Sequence, residues 1–289
     1  MSTSTKELLI TGADAGYFEL LHDLLVSLKR TGALDRYEIG IFDFGYTDAQ
    51  REILKTYSAR VVRPGWDLDV PEALRKDPDL GRVARPFIPR YFPGFEYYVW
   101  IDADMWVQDS AFIEDYLSAA GKTGFAIVKE REKAYRLQPW LVGWSIKNFV
   151  AMFGPLRGSY LCACEPINNG LFALKADAPH WAAWAKYYQE GIDRSGKLYN
   201  QFSLAAAIHL DHLPVAYMPG THNWICDRGL PMWDPGRKVF CEPYSAHRAI
   251  QVMHLAGPAK SGRYAIRTTE GAVIETSFRL GAIPSGTAG

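Results

Sequence analysis

The sequence has no excess of charge of either sign, because Lys plus Arg and Asp plus Glu both number 32 among its 289 residues. This balance argues against a nucleic-acid-binding protein that works through a broad basic field. No apolar run approaches the roughly 20 residues that cross a bilayer, and the polar start at residues 1–5 is unlike a signal peptide. We therefore expect a cytoplasmic protein without a transmembrane segment, at most peripheral to the inner membrane.

Two other common signals are also missing. The four cysteines do not have the spacing of a structural zinc site, because the Cys162-x-Cys164 pair lacks the usual two-residue gap, so we expect free thiols in a reducing compartment. The glycine-bearing loop at 12–16 lacks the full G-x-G-x-x-G pattern, so a dinucleotide site is not supported. This loop also carries no basic residue, whereas a sugar-nucleotide nucleotidyltransferase would be expected to have a lysine or arginine there.

What the sequence does contain is a short apolar run that ends in two carboxylates. Residues 97–101 read Tyr-Tyr-Val-Trp-Ile and predict a buried strand, and Asp102 and Asp104 follow directly. Open α/β sheets bind ligands where such strands end. Side chains two residues apart in an extended segment point the same way, so both carboxylates can face one site. Their mutual repulsion favours a hard divalent cation between them, although Asp-x-Asp also occurs by chance in turns.

Alternating strand and helix patterns predict an α/β fold with a mainly parallel, Rossmann-like sheet. With 48% hydrophobic residues and no internal repeat, the chain is expected to form one domain at 1–275, followed by a loosely ordered tail at 276–289. The predicted strands are 7–11, 37–44, 60–63, 97–101, 124–128, 171–174 and 214–218. The predicted helices are 17–30, 48–57 with Thr47 as cap, 110–120, 179–191 and 200–208.

The segment 129–165 has no clean period and is expected to be irregular. It is rich in aromatic residues, which suit contacts to a sugar acceptor, because flat rings stack on pyranose faces. Core packing or a subunit interface in a homo-oligomer explains the same composition equally well.

Three further polar motifs follow in the second half of the chain. Asn168-Asn169-Gly170 places two amides and a glycine before an apolar strand, although Asn-Gly is also a common turn. Asn200-Gln201 opens a mostly buried helix, and a short strand delivers His254, six residues before Lys260.

Together, these motifs and their order resemble glycosyltransferase family 8, which includes glycogenin and bacterial lipooligosaccharide galactosyltransferases. The resemblance spans nearly the whole chain and implies a GT-A fold. It also implies a retaining hexosyltransferase that moves a hexose from a nucleotide sugar, a UDP-sugar, to a hydroxyl of a saccharide or glycan acceptor.

The resemblance assigns roles to individual residues. Asp102, Asp104 and His254 would hold Mn²⁺, with Mg²⁺ as the alternative, and manganese accepts mixed oxygen and nitrogen donors. Gln201 would lie under the anomeric carbon, with Asn168 and Asn200 beside the donor sugar. The residues that the resemblance implies for donor and cofactor binding are Asp14 and Tyr17 at the uracil, Arg85 at the sugar, Asp102, Ala103, Asp104, Asn169, Gly257, and Lys260 at the diphosphate.

Two departures from the family pattern leave the donor sugar open. Asn200 stands where many members carry an aspartate, and Lys260 is followed by Ser-Gly rather than Pro-Trp. An uncharged Gln201 favours front-face attack over a covalent route, for which the carboxylates nearby in sequence are Glu165, Asp193 and Asp227. The alternative functions are a sugar-nucleotide nucleotidyltransferase and a non-catalytic carbohydrate-binding module, the latter suggested by nine tryptophans.

Overall fold

A computed structural model describes residues 6–282 of the chain and contains one seven-stranded sheet with three smaller ones. The strands are β1 Glu7–Ala13, β2 Glu38–Asp43, β3 Arg60–Val62, β4 Tyr97–Ile101, β5 Met105–Val107, β6 Phe125–Lys129, β7 Ile167–Lys175, β8 Ala216–Met218, β9 Trp224–Ile225, β10 Met232–Asp234, β11 Val239–Cys241, β12 Val252–His254, β13 Arg263–Arg267 and β14 Val273–Ser277. The helices are α1 Phe18–Arg30, α2 Ala33–Arg36, α3 Asp48–Lys55, α4 Leu80–Val83, α5 Ile88–Tyr91, α6 Ala111–Thr123, α7 Pro139–Ala163, α8 His180–Ser195 and α9 Asn200–Leu210, with short 3₁₀ turns between them.

The main sheet has the strand order β3-β2-β1-β4-β7-β6-β8. Neighbours are parallel except β7, which is antiparallel to both β4 and β6. The central strands are apolar on both faces of the sheet, so alternate residues of a strand pack into the hydrophobic core on one side of the sheet or on the other. Leu9 and Val99 pack with α1 and α6, whereas Leu8 and Trp100 pack with α8 and α9. The predicted mixed, mainly parallel α/β fold is therefore confirmed.

A second sheet, in the order β5-β12-β9, carries the C-terminal half of the chain back to the end of β4. In this sheet β12 is antiparallel to β5, with His254 opposite Met105, and parallel to β9. Met105 immediately follows Asp104. A histidine 150 residues away in sequence is thus brought beside the carboxylates by strand pairing.

One predicted segment is wrong. The stretch 129–165 is not irregular, because most of it forms α7, which consists of two helical segments joined at Gly154, a residue with non-helical backbone angles (φ 80°, ψ 168°). A Cβ on Gly158 would lie 2.6 Å from Val150 Cα, so the chain before and after Gly154 packs closely. The helix has no amphipathic period because its apolar residues occur on every face, and this hid it from pattern reading. The two amides before the apolar strand are also part of β7 itself.

The predicted domain boundary at 275 stays a prediction. Residues 283–289 of the predicted tail lie outside the described part of the chain. Before them, β14 extends to Ser277 and Phe278 is buried. Within residues 6–282, no helix has both the length and the apolar composition needed to cross a membrane.

A buried carboxylate stabilises the turn after β2. Oδ1 of Asp43 accepts hydrogen bonds from the backbone N–H groups of Gly45 and Tyr46, and Oδ2 pairs with Arg51 at 2.7 Å. Burial by itself disfavours the ionised form, but the Arg51 and backbone hydrogen bonds outweigh it and lower the pKa of Asp43. This carboxylate therefore contributes stability above its unfolded-state pKa, and the contribution is lost as pH falls through its lower folded-state pKa.

We expect Asp43→Asn to reduce the free energy of unfolding at neutral pH by about 1.5 to 3 kcal/mol, the usual range for hydrogen bonds to a charged group. Urea unfolding of both proteins at pH 7 and in acid checks this, since the difference should shrink as the wild-type carboxylate is protonated. A difference independent of pH would contradict the account.

Candidate active site

The carboxylates after β4 are held by the residues around them. The backbone N–H of Asp102 donates to the carbonyl of Gly170 at 2.7 Å, which ties the end of β4 to β7. Oδ1 of Asp102 accepts from the Trp100 indole N–H and pairs with Arg85, both at 2.7 Å. No hydrogen bond or ion pair among the described residues uses Asp102 Oδ2, so this oxygen is available to a ligand.

Asp104 contacts the segment that follows β12. Its Oδ2 pairs with the Lys260 ammonium at 2.8 Å, and its Oδ1 lies 3.6 Å from Nε2 of His254. The latter distance is too long for a good hydrogen bond. The backbone carbonyl of Asp104 also accepts a hydrogen bond from the Leu255 backbone N–H at 2.8 Å, which holds the chain after β12 beside Asp104.

A buried asparagine determines how His254 presents its ring. Nδ2 of Asn223 donates to Oδ1 of Asn168 at 3.0 Å, and Oδ1 of Asn223 lies 2.9 Å from Nδ1 of His254. Because an amide oxygen only accepts, Nδ1 must donate in this arrangement, which leaves Nε2 as the ring nitrogen that could bind a metal ion. Nε2 is the atom that faces Asp104. Asn223 is completely buried and therefore holds the imidazole ready to act as a ligand.

The three side chains fit a divalent cation. One ligand atom from each of Asp102, Asp104 and His254 lies within 4.8 Å of the others. Gly170 keeps the space beside them open, because a Cβ at that position would lie 2.9 Å from Asp102 Oδ2. Two carboxylate oxygens and one imidazole nitrogen form a donor set that suits manganese better than calcium or magnesium. The arrangement is therefore a candidate metal site.

The pKa values of the two carboxyl groups are shifted in opposite directions. Burial raises the pKa of Asp102, an effect that Arg85 opposes and Asp104 reinforces. Burial also disfavours ionised Asp104, but His254 and Lys260 outweigh it and lower the pKa of Asp104. Lys260 in turn has a raised pKa, because the attraction of Asp104 outweighs the burial of the ammonium. The site therefore presents a fixed positive charge on Lys260.

Arg85 links the carboxylates to β7. Its guanidinium lies over the Trp100 ring at 4.4 Å and donates to the carbonyl of Asn169 at 3.1 Å. Asn169 is buried, and its side-chain Nδ2 has no hydrogen-bond partner among the described residues. An unpartnered buried amide donor is costly, so Asn169 Nδ2 marks a place where a ligand oxygen belongs.

Sequence reading missed a second polar cluster, centred on Glu130. Its Oε2 accepts from Gln201 Nε2 and its Oε1 pairs with Arg228, both at 2.9 Å, and the Asn168 side chain lies beside this carboxylate. Burial raises the pKa of Glu130, with Arg228, Gln201 and Asn168 opposing the shift. Glu130 directly follows β6, as Asp102 follows β4, and that position at a strand end was the available signal.

Asn168 thus lies between the metal candidate and Gln201. Hydrogen bonds join His254 to Asn223 and Asn223 to Asn168, Asn168 lies beside the Glu130 carboxylate, and a further hydrogen bond joins Glu130 to Gln201. Since Gln201 Nε2 donates to Glu130, its Oε1 is turned toward the backbone N–H of Asn169, at 3.4 Å.

The predicted uracil-binding residues adjoin Lys260. The Lys260 ammonium lies 5.7 Å from the centroid of the Tyr17 ring, which is 44% exposed. Asp14 caps the same turn by accepting from the Tyr17 backbone N–H at 3.0 Å. Gly257 has φ +57°, a conformation that favours glycine, and begins the turn that carries Lys260.

Two predicted residues lie outside this cluster of side chains. The Ala103 side chain is buried in the core between α1 and α6, so only its backbone can face a ligand. Asn200 Nδ2 donates to the carbonyl of Arg82 at 3.3 Å rather than to a member of the Glu130 network.

The carboxylates named from sequence for a covalent route have other contacts. Glu165 pairs with Lys129 and Arg131, and Asp193 accepts from Gln189. Asp227 lies beside Gly257, with Oδ2 3.5 Å from where a Cβ would stand. The carboxylate that contacts Gln201 is instead Glu130.

The fold and the site together define an α/β protein with a candidate divalent-cation site where the central strand ends. Among solved structures, the chain is similar to the galactosyltransferase LgtC in complex with donor and acceptor sugar analogues (TM-score 0.52, 14% identity, 87% of this chain and 88% of that chain). It is also similar to apo WbbM, a bifunctional glycosyltransferase (TM-score 0.56, 15% identity, 89% of this chain), and spans about half of it, 47%. No protein-family model and no curated protein sequence matches.

At these identities the likeness establishes the fold alone. The chain has the GT-A fold of glycosyltransferases, which confirms the predicted fold, and the similarity to a galactosyltransferase agrees with the resemblance to family 8.

The position of Asn223 leads to a prediction about metal affinity. Asn223→Ala removes the acceptor that fixes His254 Nδ1–H, so we expect Mn²⁺ affinity to fall roughly 10- to 100-fold. Titration calorimetry with Mn²⁺ measures this without any substrate. Asn148→Ala is the matched control, because Asn148 is an equally buried asparagine that contacts Trp144 and Lys197 instead. Equal losses in both variants would contradict a role specific to His254.

Proposed function

We propose that this protein is a metal-dependent retaining glycosyltransferase that transfers a hexose from a UDP-sugar to a hydroxyl of a saccharide or glycan acceptor. The observation that carries the proposal is the convergence of Asp102, Asp104, His254 and Lys260 from distant parts of the chain on one point of a GT-A fold. A carboxylate pair, an imidazole and an ammonium suit a cation and a diphosphate together, which is what a nucleotide-sugar donor requires.

In this proposal the nucleotide lies between the turn after β1 and the turn after β12. The exposed Tyr17 ring stacks on the uracil, and Asp14, which already caps that turn, accepts a hydrogen bond from the base. Lys260 donates to a diphosphate oxygen while its partner Asp104 faces the metal. These two turns already contact each other through Lys260 and Tyr17.

Departure of the nucleoside diphosphate leaves negative charge on the phosphate, and stabilising that charge is the main task of the site. Asp102 Oδ2, Asp104 Oδ1 and His254 Nε2 would hold Mn²⁺, which as a Lewis acid neutralises part of that charge. Lys260 adds a positive charge whose direction is fixed by its ion pair. Arg85 neutralises Asp102 from the opposite side and would reach the sugar from there.

The donor sugar is proposed to lie over Gln201 and Asn169. The unpartnered Nδ2 of Asn169 donates to a sugar hydroxyl, which satisfies a buried polar group. Gln201 Oε1 offers a neutral acceptor beneath the anomeric carbon as positive charge develops there, because Glu130 holds the amide nitrogen on the other side. An amide is a poor covalent nucleophile, so the acceptor attacks from the face of the leaving group and gives its proton to the departing phosphate. This geometry retains the configuration.

Glu130 is proposed to position Gln201. We expect Glu130→Gln to lower kcat about 100-fold with a much smaller change in the KM for the donor. A neutral amide at position 130 holds the Gln201 amide nitrogen less strongly and can itself donate to Gln201, so the Gln201 oxygen is no longer directed only at the reacting carbon. Steady-state kinetics with varied donor concentration separate the two constants.

Glu190→Gln is the control for this prediction, because Glu190 also pairs with an arginine, Arg157, but on α8 away from the network. An unchanged kcat in Glu130→Gln, or a rise in donor KM alone, would contradict the positioning role.

Hydrolysis tests the proposal without knowledge of the acceptor. We expect the protein with Mn²⁺ and UDP-glucose or UDP-galactose to release UDP slowly, and a chelator to stop the release. The anomer of the released sugar, read by NMR before mutarotation, reports retention. Dependence on pyrophosphate would indicate a nucleotidyltransferase, and stabilisation by free sugars without UDP would indicate a binding module; either result rejects the proposal.

A further inference from the structure

The first part of α7 and the residues just before it expose apolar side chains to solvent. Leu137, two residues before the helix, is 81% exposed and Trp140 67%, and Val142, Trp144 and Ile146 are also exposed. At 100° per residue the two tryptophans lie on one face of the helix, whereas Val142 and Ile146 lie on the opposite face. A helix that is apolar on all sides is ordinarily buried, either in protein or in lipid.

Three exposed basic residues lie in or directly before this segment. Residues 133–164 contain Lys133, Arg136, Lys147 and Arg157 but no aspartate or glutamate, in a chain whose formal net charge is zero. Arg157 pairs with Glu190, whereas no ion pair among the described residues involves the other three, which are all exposed. The segment therefore combines exposed apolar side chains with three exposed cations that no described carboxylate pairs with.

We propose that residues 137–147 form a docking segment for a bilayer surface that carries anionic headgroups. A protein groove covers one face of a helix, whereas an acyl phase can cover the exposed apolar side chains on every face that the rest of the protein leaves free. Tryptophans concentrate at the level of the headgroups, and exposed lysine and arginine residues are attracted to anionic lipids. Both features are present here within a single stretch of chain.

The docking segment is anchored beside the candidate active site. The Trp144 ring contacts Tyr199 and Phe202, with centroid distances of 5.4 and 5.1 Å. These two residues flank Asn200 and Gln201 at the start of α9. Binding of a membrane by residues 137–147 would thus hold the Gln201 end of the site close to the bilayer. Membrane binding by residues 137–147 does not depend on the proposed sugar transfer.

Co-sedimentation of the full chain with vesicles tests this proposal. We expect binding to phosphatidylcholine vesicles that contain phosphatidylglycerol and much weaker binding to phosphatidylcholine alone. Leu137→Ser with Trp140→Ser should lower the partition coefficient at least about tenfold, since loss of one large buried apolar side chain already changes it by about that factor. Lys133→Glu with Lys147→Glu should remove the preference for anionic vesicles.

Matched controls lie on other parts of the surface. Val273→Ser changes an exposed apolar residue that is 66% exposed, and Lys76→Ser an exposed lysine. Neither should alter vesicle binding. Because Leu137 and Trp140 are mostly exposed, the double variant should remain folded. Donor hydrolysis that is unchanged when measured without lipid would show independently that it is folded.

Three outcomes would overturn the proposal. One is wild-type protein that binds neither kind of vesicle, and another is a Leu137→Ser, Trp140→Ser variant that binds as well as the wild type. The third is a lipid-free dimer, seen by analytical ultracentrifugation, that this double variant dissociates, because a second copy of the chain would then cover the segment.

Discussion

Asp104→Asn is expected to abolish tight Mn²⁺ binding and to lower kcat/KM for donor hydrolysis about 1,000-fold or more, because in the proposed reaction the cation would supply several kcal/mol of charge stabilisation at the leaving group. The change keeps the shape of the side chain but removes the charge that faces both His254 Nε2 and Lys260. Of the two carboxyl groups at the site, it removes the one whose pKa is lowered and which is therefore the more readily ionised. Calorimetric Mn²⁺ titration and UDP release, measured on the same preparation, test both parts.

Asp177→Asn is the control for Asp104→Asn, because Asp177 pairs with a lysine in the same way but is exposed and remote in the fold. Wild-type protein treated with a chelator should reproduce the activity of Asp104→Asn. If that variant bound Mn²⁺ with wild-type affinity, the assignment of the site would be wrong.

The second large effect is expected at Gly170. An alanine there would place its Cβ 2.9 Å from Asp102 Oδ2 and 2.7 Å from Met105 Cε. The methionine end can move, but the Asp102 carboxylate can move only by leaving the position in which it would bind the cation. We expect Gly170→Ala to lower Mn²⁺ affinity at least about tenfold and kcat/KM about 100-fold, since a misplacement of about 1 Å has an effect of that size.

A double variant separates misfolding from loss of the site. Met105→Ala together with Gly170→Ala relieves the contact with methionine but not the one with Asp102, so metal affinity should stay low even if thermal stability recovers. Gly143→Ala is the matched control, because nothing lies within 4 Å of a Cβ there. Recovery of metal binding in the double variant would contradict the account.

The parts of the site that sequence could predict are those next to a clear local pattern. The apolar run of β4 indicated where the chain leaves the core, and therefore where Asp102 and Asp104 lie. Thr47 was predictable as a cap because a capping box depends on neighbouring residues alone, and the structure confirms it. His254 was assigned through the resemblance, since its approach to Asp104 depends on the pairing of β12 with β5.

The rest depends on contacts that no local pattern encodes. Glu130 and Asn223 become neighbours of Asn168 only because β7 runs antiparallel between β4 and β6 and because β9 joins the smaller sheet. In a wholly parallel sheet the amides of β7 would lie at the other end. The helix α7 was missed for a different reason, since apolar residues on every face give no period to read.

The central claim is that Asp102, Asp104 and His254 hold a cation that contacts the diphosphate of a nucleotide. Crystals soaked with Mn²⁺ and UDP, measured at the manganese absorption edge, test it most directly. We predict one anomalous peak between these three side chains, in contact with diphosphate oxygens and with Lys260 on the same diphosphate. UDP bound in the crystal without a peak at these residues, or a peak elsewhere in the molecule, would contradict the claim.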